Sequence, residues 1–236
     1  MSTDTAIGQY SVFGNPIHQS KSPNIQKALA QATDQHINYQ AQLVKDDEFE
    51  ETVKDFFAKG GKGLNITVPF KQRAFAMAQV HSPAAAKAEA ANTLYLNAQA
   101  QLGADKTDGF VLVRDICHNL KGQLNAKRIL VLGSGGAVRG VLQPILAQRP
   151  AQVVIANRTY TKACDLVALF TDLGAIEAIP MAQLQGSFDW IINGTSASLT
   201  GDLPPLPKGL INNTSRCYDM MYGAQTTVFN QWALNQ

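Results

Sequence analysis

Apolar runs separated by helical patterns repeat along nearly the whole chain. Residues 9–13 read as a strand broken by Gly14-Asn15-Pro16. Ser22-Pro23 opens a helix to about Thr33, since serine is a favoured N-cap and proline a favoured first helical residue. Residues 37–44 read as a strand, and 46–59 as a helix with acids in its first turn and Gly60-Gly61 at its end. Residues 63–68 alternate strictly, which predicts a strand, and a helix follows Pro69 from about Phe70. An Ala-rich helix after Pro83, a strand over 91–96, a hairpin turn at 97–100 and a helix over 109–120 complete this half.

From Lys127 the rhythm tightens. Strands are expected at 128–132, 153–156, 177–179, 189–192 and 216–219, with helices at 136–148, 161–172 and from about Thr226. Strands apolar on both faces and separated by helices belong to parallel sheets covered on both sides. The fold class is therefore α/β in two domains, a smaller α/β domain over 1–108 and a Rossmann-like, dinucleotide-type domain over 109–236.

Composition narrows the functional classes. Of 236 residues, 45% are apolar and 16% charged, which excludes a disordered chain. The formal charge of +2 comes from scattered Lys and Arg, without the basic stripe of a nucleic-acid binder. No run approaches the ~18 apolar residues of a membrane span. Cys117, Cys164 and Cys217 are an odd, widely spaced set, which argues for a reducing compartment. The opening MSTDTAIGQYS shows no secretory leader, so the cytoplasm is expected. His18, His36, His81 and His118 lie too far apart in sequence to suggest a metal site.

Gly133-Ser134-Gly135-Gly136-Ala137 follows a strand and opens a helix. That context suits a pyrophosphate, which needs a tight turn, close backbone approach and the free N–H groups of a helix start. An ordinary strand-to-helix turn would use the same glycines. At the end of the next strand stand Asn157-Arg158-Thr159, with Lys162 one turn on. An acidic residue there would hold a ribose hydroxyl, whereas Arg can grip a 2′-phosphate, so NADP is favoured over NAD. The alternative for Arg158 is a solvated side chain at a helix start.

In the strand before Pro69, Leu64, Ile66 and Val68 point one way and Asn65 and Thr67 the other, which aims an amide and a hydroxyl away from the core. Lys71 falls in the first turn of the next helix, where its charge opposes the helix dipole. It is either a candidate acid/base or a surface lysine. Asp108 before Gly109 is either functional or an N-cap, and the helix start at Ser20-Lys21-Ser22 either grips a carboxylate or is merely capped.

Taken in order, Gly14-Asn15-Pro16-Ile17, Ser20-Lys21-Ser22-Pro23, Asn65-Ile66-Thr67-Val68-Pro69-Phe70-Lys71, Ala91-Asn92-Thr93-Leu94, Thr107-Asp108-Gly109, the glycine loop, Asn157-Arg158-Thr159 and Tyr218-Asp219-Met220-Met221-Tyr222 resemble the motifs of shikimate dehydrogenases. The resemblance runs from about Val12 to Phe229. It implies two domains flanking a cleft and reversible NADPH-dependent reduction of 3-dehydroshikimate to shikimate, within aromatic amino acid biosynthesis. By position, Ser20 and Ser22 would hold the substrate carboxylate, with Asn65, Thr67, Asn92 and Tyr222 also in the substrate site. Lys71 and Asp108 would form the catalytic proton relay. Gly133, Ser134, Gly135, Gly136 and Ala137 would cradle the pyrophosphate, Asn157, Arg158, Thr159 and Lys162 the 2′-phosphate, and Met220 would line the nicotinamide. The partner expected is the small-molecule substrate, with no nucleic acid, no membrane and no metal, in a monomer or homodimer.

The chain departs from the family pattern in places. Ser134 replaces Ala, His18 is displaced by one, Lys106 stands where Asn is usual, and Val228 replaces Pro. A closing segment with a Gly-x-x-Met-Leu-x-x-Gln-like motif is expected to be missing after Gln236. Two alternatives remain at this point: an impaired or non-catalytic NADP-binding remnant, and a quinate/shikimate enzyme of broader specificity.

Overall fold

The computed structural model describes residues 7–197, 201–223 and 225–236. The chain forms two compact units that divide between Thr107 and Asp108.

The first unit runs β1 (Gly8–Gly14), α1 (Ser22–Ala32), β2 (Ile37–Leu43), α2 (Phe49–Ala58), β3 (Gly63–Ile66), α3 (Lys71–Met77), β4 (Val80–His81), α4 (Pro83–Ala88), β5 (Thr93–Leu96) and β6 (Leu102–Asp105). Its six strands lie in the order β2-β1-β3-β5-β6-β4. β1 pairs parallel with β2 and β3, while β5 is antiparallel to both β3 and β6. Alternation puts Leu64, Ile66 and Leu94 into a core with Phe13, Phe49 and Phe70. There the Phe49 and Phe70 rings stack at 4.4 Å.

Three local expectations change. The strand over 63–68 ends at Ile66, because Pro69 has no N–H for the ladder and Phe70 N–H turns back to the Thr67 carbonyl at 3.0 Å. Val68 is therefore only half-buried. Lys21, and not Ser22, occupies the capping position of α1, and the Ser20 hydroxyl accepts from Ser22 N–H at 3.3 Å. The acid-rich start at 46–48 is a 3₁₀ turn that precedes α2.

The second unit holds α5 (Asp108–Arg114), β7 (Arg128–Leu132), α6 (Gly136–Leu146), β8 (Gln152–Ala156), α7 (Tyr160–Ala168), β9 (Ile176–Ala178), β10 (Trp190–Asn193), β11 (Arg216–Asp219) and α8 (Val228–Leu234). All five strands are parallel, ordered β11-β10-β7-β8-β9. Both sheet faces are buried, with Ile129 and Val131 in one apolar cluster and Leu130 and Leu132 in another. The helix expected over 109–120 leaves α geometry at Asp115, where a π-helical turn runs to Asn119. Pro144 sits inside α6 and has no N–H to give the Gly140 carbonyl. A Cβ on Gly109 would lie 2.2 Å from that same oxygen, so α5 meets α6 where only glycine fits.

Candidate active site

In the first unit, polar side chains gather where β1 and β3 end and β5 begins. A Cβ on Gly14 would lie 2.3 Å from Thr67 Cγ2, so glycine there makes room for Thr67. The Tyr39 hydroxyl donates to Asn65 Oδ1 at 2.6 Å. Burial pushes the Tyr39 phenol up to about 12. Asn65 Nδ2 reaches the Asn92 carbonyl and Thr93 Oγ1, both at 3.4 Å. Asn92, almost fully buried, donates through Nδ2 to Thr107 Oγ1 at 3.0 Å and accepts from Thr107 N–H at 3.1 Å. Hydrogen bonds thus join Tyr39, Asn65 and Asn92.

Lys71 opens α3, and its carbonyl accepts from Ala91 N–H at 2.8 Å, one residue from Asn92. Arg73 holds the same helix by pairing with Glu50 and with Asp46 while lying over the Phe49 and Phe70 rings. This guanidinium keeps the Glu50 carboxyl below its ordinary range. Asp108 follows the tethered Thr107 and begins α5, with Gly109 packed on α6. Lys106 is 5% exposed, and its N–H donates to Asp105 Oδ1, which also accepts from the Ser82 hydroxyl.

In the second unit, the cofactor candidates lie at the C-terminal edge of the parallel sheet, where dinucleotides bind in such folds. Gly133 has φ of 105°, open to glycine at little cost. Gly135 stands at the start of α6, where a Cβ would meet nothing within 4 Å and no side chain caps the helix. That leaves the start of an eleven-residue helix without a side-chain cap and with room beside Gly135, which fits a pyrophosphate. A Cβ on Gly194 would lie 3.2 Å from Met220 Sδ, and one on Gly133 would lie 3.3 Å from Gly194 itself, so Met220 borders the glycine turn. Arg158, Thr159 and Lys162 are exposed around the start of α7, and Asn157 Nδ2 bonds the Thr159 carbonyl at 2.9 Å. Tyr222 is exposed beyond β11.

The sequence reading did not find Tyr39, Thr93 or Thr107 as partners of the site, nor a second network behind Met220. There the fully buried Asn193 donates to Asp219 Oδ1 at 3.0 Å, and Asp219 accepts from Met221 N–H and from the Thr227 hydroxyl. Their signals were ordinary polar residues at strand ends, far apart in the chain. Among the described residues, no group of three His, Cys, Asp or Glu is placed to hold a metal, and no helix is long and apolar enough to cross a membrane.

A parallel five-stranded sheet with an open glycine turn, joined to a smaller unit carrying a polar cluster, defines a dinucleotide-dependent enzyme of the α/β class. Residues 12–94 match the family model of the shikimate dehydrogenase substrate binding domain, and residues 115–200 that of shikimate / quinate 5-dehydrogenase. The chain belongs to the shikimate dehydrogenase family. A shikimate dehydrogenase (NADP(+)) of Cellvibrio japonicus is 55% identical over 96% of this chain and 82% of its own length. One from Alkalilimnicola ehrlichii is 51% identical over 95% and 83%. Among solved structures, an Ael1 enzyme from Pseudomonas putida is 43% identical with a TM-score of 0.85, over 97% of this chain and 84% of its own. The Thermus thermophilus shikimate 5-dehydrogenase, solved with NADP(H) and shikimate, is 25% identical with a TM-score of 0.83, over 97% and 84%.

Proposed function

We propose that this protein is an NADP-dependent oxidoreductase that interconverts shikimate and 3-dehydroshikimate. The observation that carries the reading is 55% identity to an NADP-dependent shikimate dehydrogenase over nearly the whole chain. The polar cluster in the first unit and the open glycine turn in the second both support it.

NADP, when bound, accepts hydride from the alcohol carbon or returns it to the ketone. Gly133, Ser134, Gly135, Gly136 and Ala137 hold its pyrophosphate, Asn157, Arg158, Thr159 and Lys162 its 2′-phosphate, and Met220 the nicotinamide side. On the substrate, Ser20 and Ser22 bind the carboxylate, and Asn65, Thr67, Asn92 and Tyr222 bind the remaining polar groups. Lys71 and Asp108 carry the proton of the reacting hydroxyl away during oxidation and return it during reduction. Residues 1–108 thus serve substrate and catalysis, and 109–236 the cofactor.

The test is nicotinamide absorbance with shikimate and NADP. Lys71→Ala should lower kcat by about 10²–10⁴ with little change in KM, as for a lost acid/base group. Unchanged turnover in that variant rejects the assigned role. No turnover in the parent protein would instead select the impaired remnant. The family model also covers quinate enzymes, and turnover of quinate beside shikimate would select the broader specificity. The three free cysteines support a cytoplasmic setting, and light scattering decides between monomer and homodimer.

A further inference from the structure

The inference concerns Tyr39, and it rests on the shikimate reading above. Tyr39 lies on β2, which is separated from β3 by β1, and its phenol crosses the intervening strand to reach Asn65 Oδ1 at 2.6 Å. A phenol has one proton, and here it is committed to Asn65.

This settles the orientation of Asn65. With Oδ1 occupied by Tyr39, Nδ2 faces the Asn92 carbonyl and Thr93 Oγ1. Flipping the amide would set its carbonyl against the Asn92 carbonyl, two acceptors face to face. Both Nδ2 contacts are long at 3.4 Å, so the amide keeps donor capacity for an incoming oxygen.

We propose that Tyr39 is a positioning residue for substrate: its hydroxyl fixes Asn65 as a donor toward a substrate hydroxyl. It touches neither cofactor nor the reacting atoms. Its loss weakens the binding of shikimate equally in the ground and transition states, which raises KM and spares kcat.

Tyr39→Phe removes the hydroxyl and keeps the ring. Shikimate KM should rise about tenfold, the size of one lost hydrogen bond, with kcat and NADP KM each within about twofold. Calorimetric titration of shikimate should show the same loss. In a double-mutant cycle with Asn65→Ala, the second substitution should add little to the first, because both act through one amide. An unchanged shikimate KM, a fall confined to kcat, or independent and additive effects overturns the proposal. A general folding defect would move the NADP KM and thermal midpoint as well, and that pattern also overturns it. If the parent protein neither binds nor turns over shikimate, the functional reading itself fails and this inference goes with it; a competent parent with an unaffected Tyr39→Phe variant sinks the inference alone.

Discussion

On the proposed reading, cofactor choice turns on Arg158. It is exposed just past β8, with Lys162 one turn on, so its charge is available to a ligand. A charge-assisted bond to a 2′-phosphate has no counterpart when that group is a bare hydroxyl. Arg158→Ala should therefore raise the KM for NADP roughly 10–100-fold while shifting that for NAD by about twofold at most. Equal changes in the two would remove the 2′-phosphate role. Arg158 stands out in the sequence as a candidate because its signal is local, a fixed distance beyond the glycine turn at the end of a strand. Tyr39 does not, since it meets a residue 26 positions away across a strand, and nothing around Asn38-Tyr39-Gln40 marks it.

At the scale of elements, two glycines do different work. Gly109 is a packing glycine, where a Cβ would meet the rigid Gly140 carbonyl and the Pro144 ring. Neither can swing aside as a flexible side chain would. Gly109→Ala should cost about 1–3 kcal/mol of stability, read as a lower denaturation midpoint. Gly135 has an ordinary φ of −77° and open space where its Cβ would project. Gly135→Ala should leave the midpoint nearly unchanged and raise the KM for NADP, because the methyl enters the volume assigned to the pyrophosphate. If stability falls for Gly135→Ala, the space there is not reserved for a ligand. The strands around these glycines were readable from unbroken apolar runs. Less so were the π turn after α5 and the early end of β3, which depend on helix packing and on which N–H groups the turn at Pro69 requires.

At the scale of the whole molecule, both units carry the same pair of titration constraints. In the first, Arg73 holds the Glu50 carboxyl down; in the second, the Arg128 backbone N–H does so for Asp189, helped by the Lys127 ammonium. Depressed carboxylates stabilise above their unfolded value near 4, and that contribution is lost as pH falls through the folded value. On the alkaline side, burial raises Tyr39 in the first unit and Tyr218 in the second to about 12, Tyr218 also through its bond to Asp115. A phenol raised on folding stabilises fully below its unfolded value near 10, and the gain disappears as pH climbs from there toward 12. Burial likewise raises the Cys217 thiol to about 11, so thermal midpoints should form a plateau from about pH 5 to pH 9 and fall on both sides. Tyr39→Phe and Tyr218→Phe each remove one titrating phenol, so each variant should flatten the alkaline limb relative to the parent. A limb equally steep in both variants would mean that another group, such as the Cys217 thiol, sets the alkaline limit.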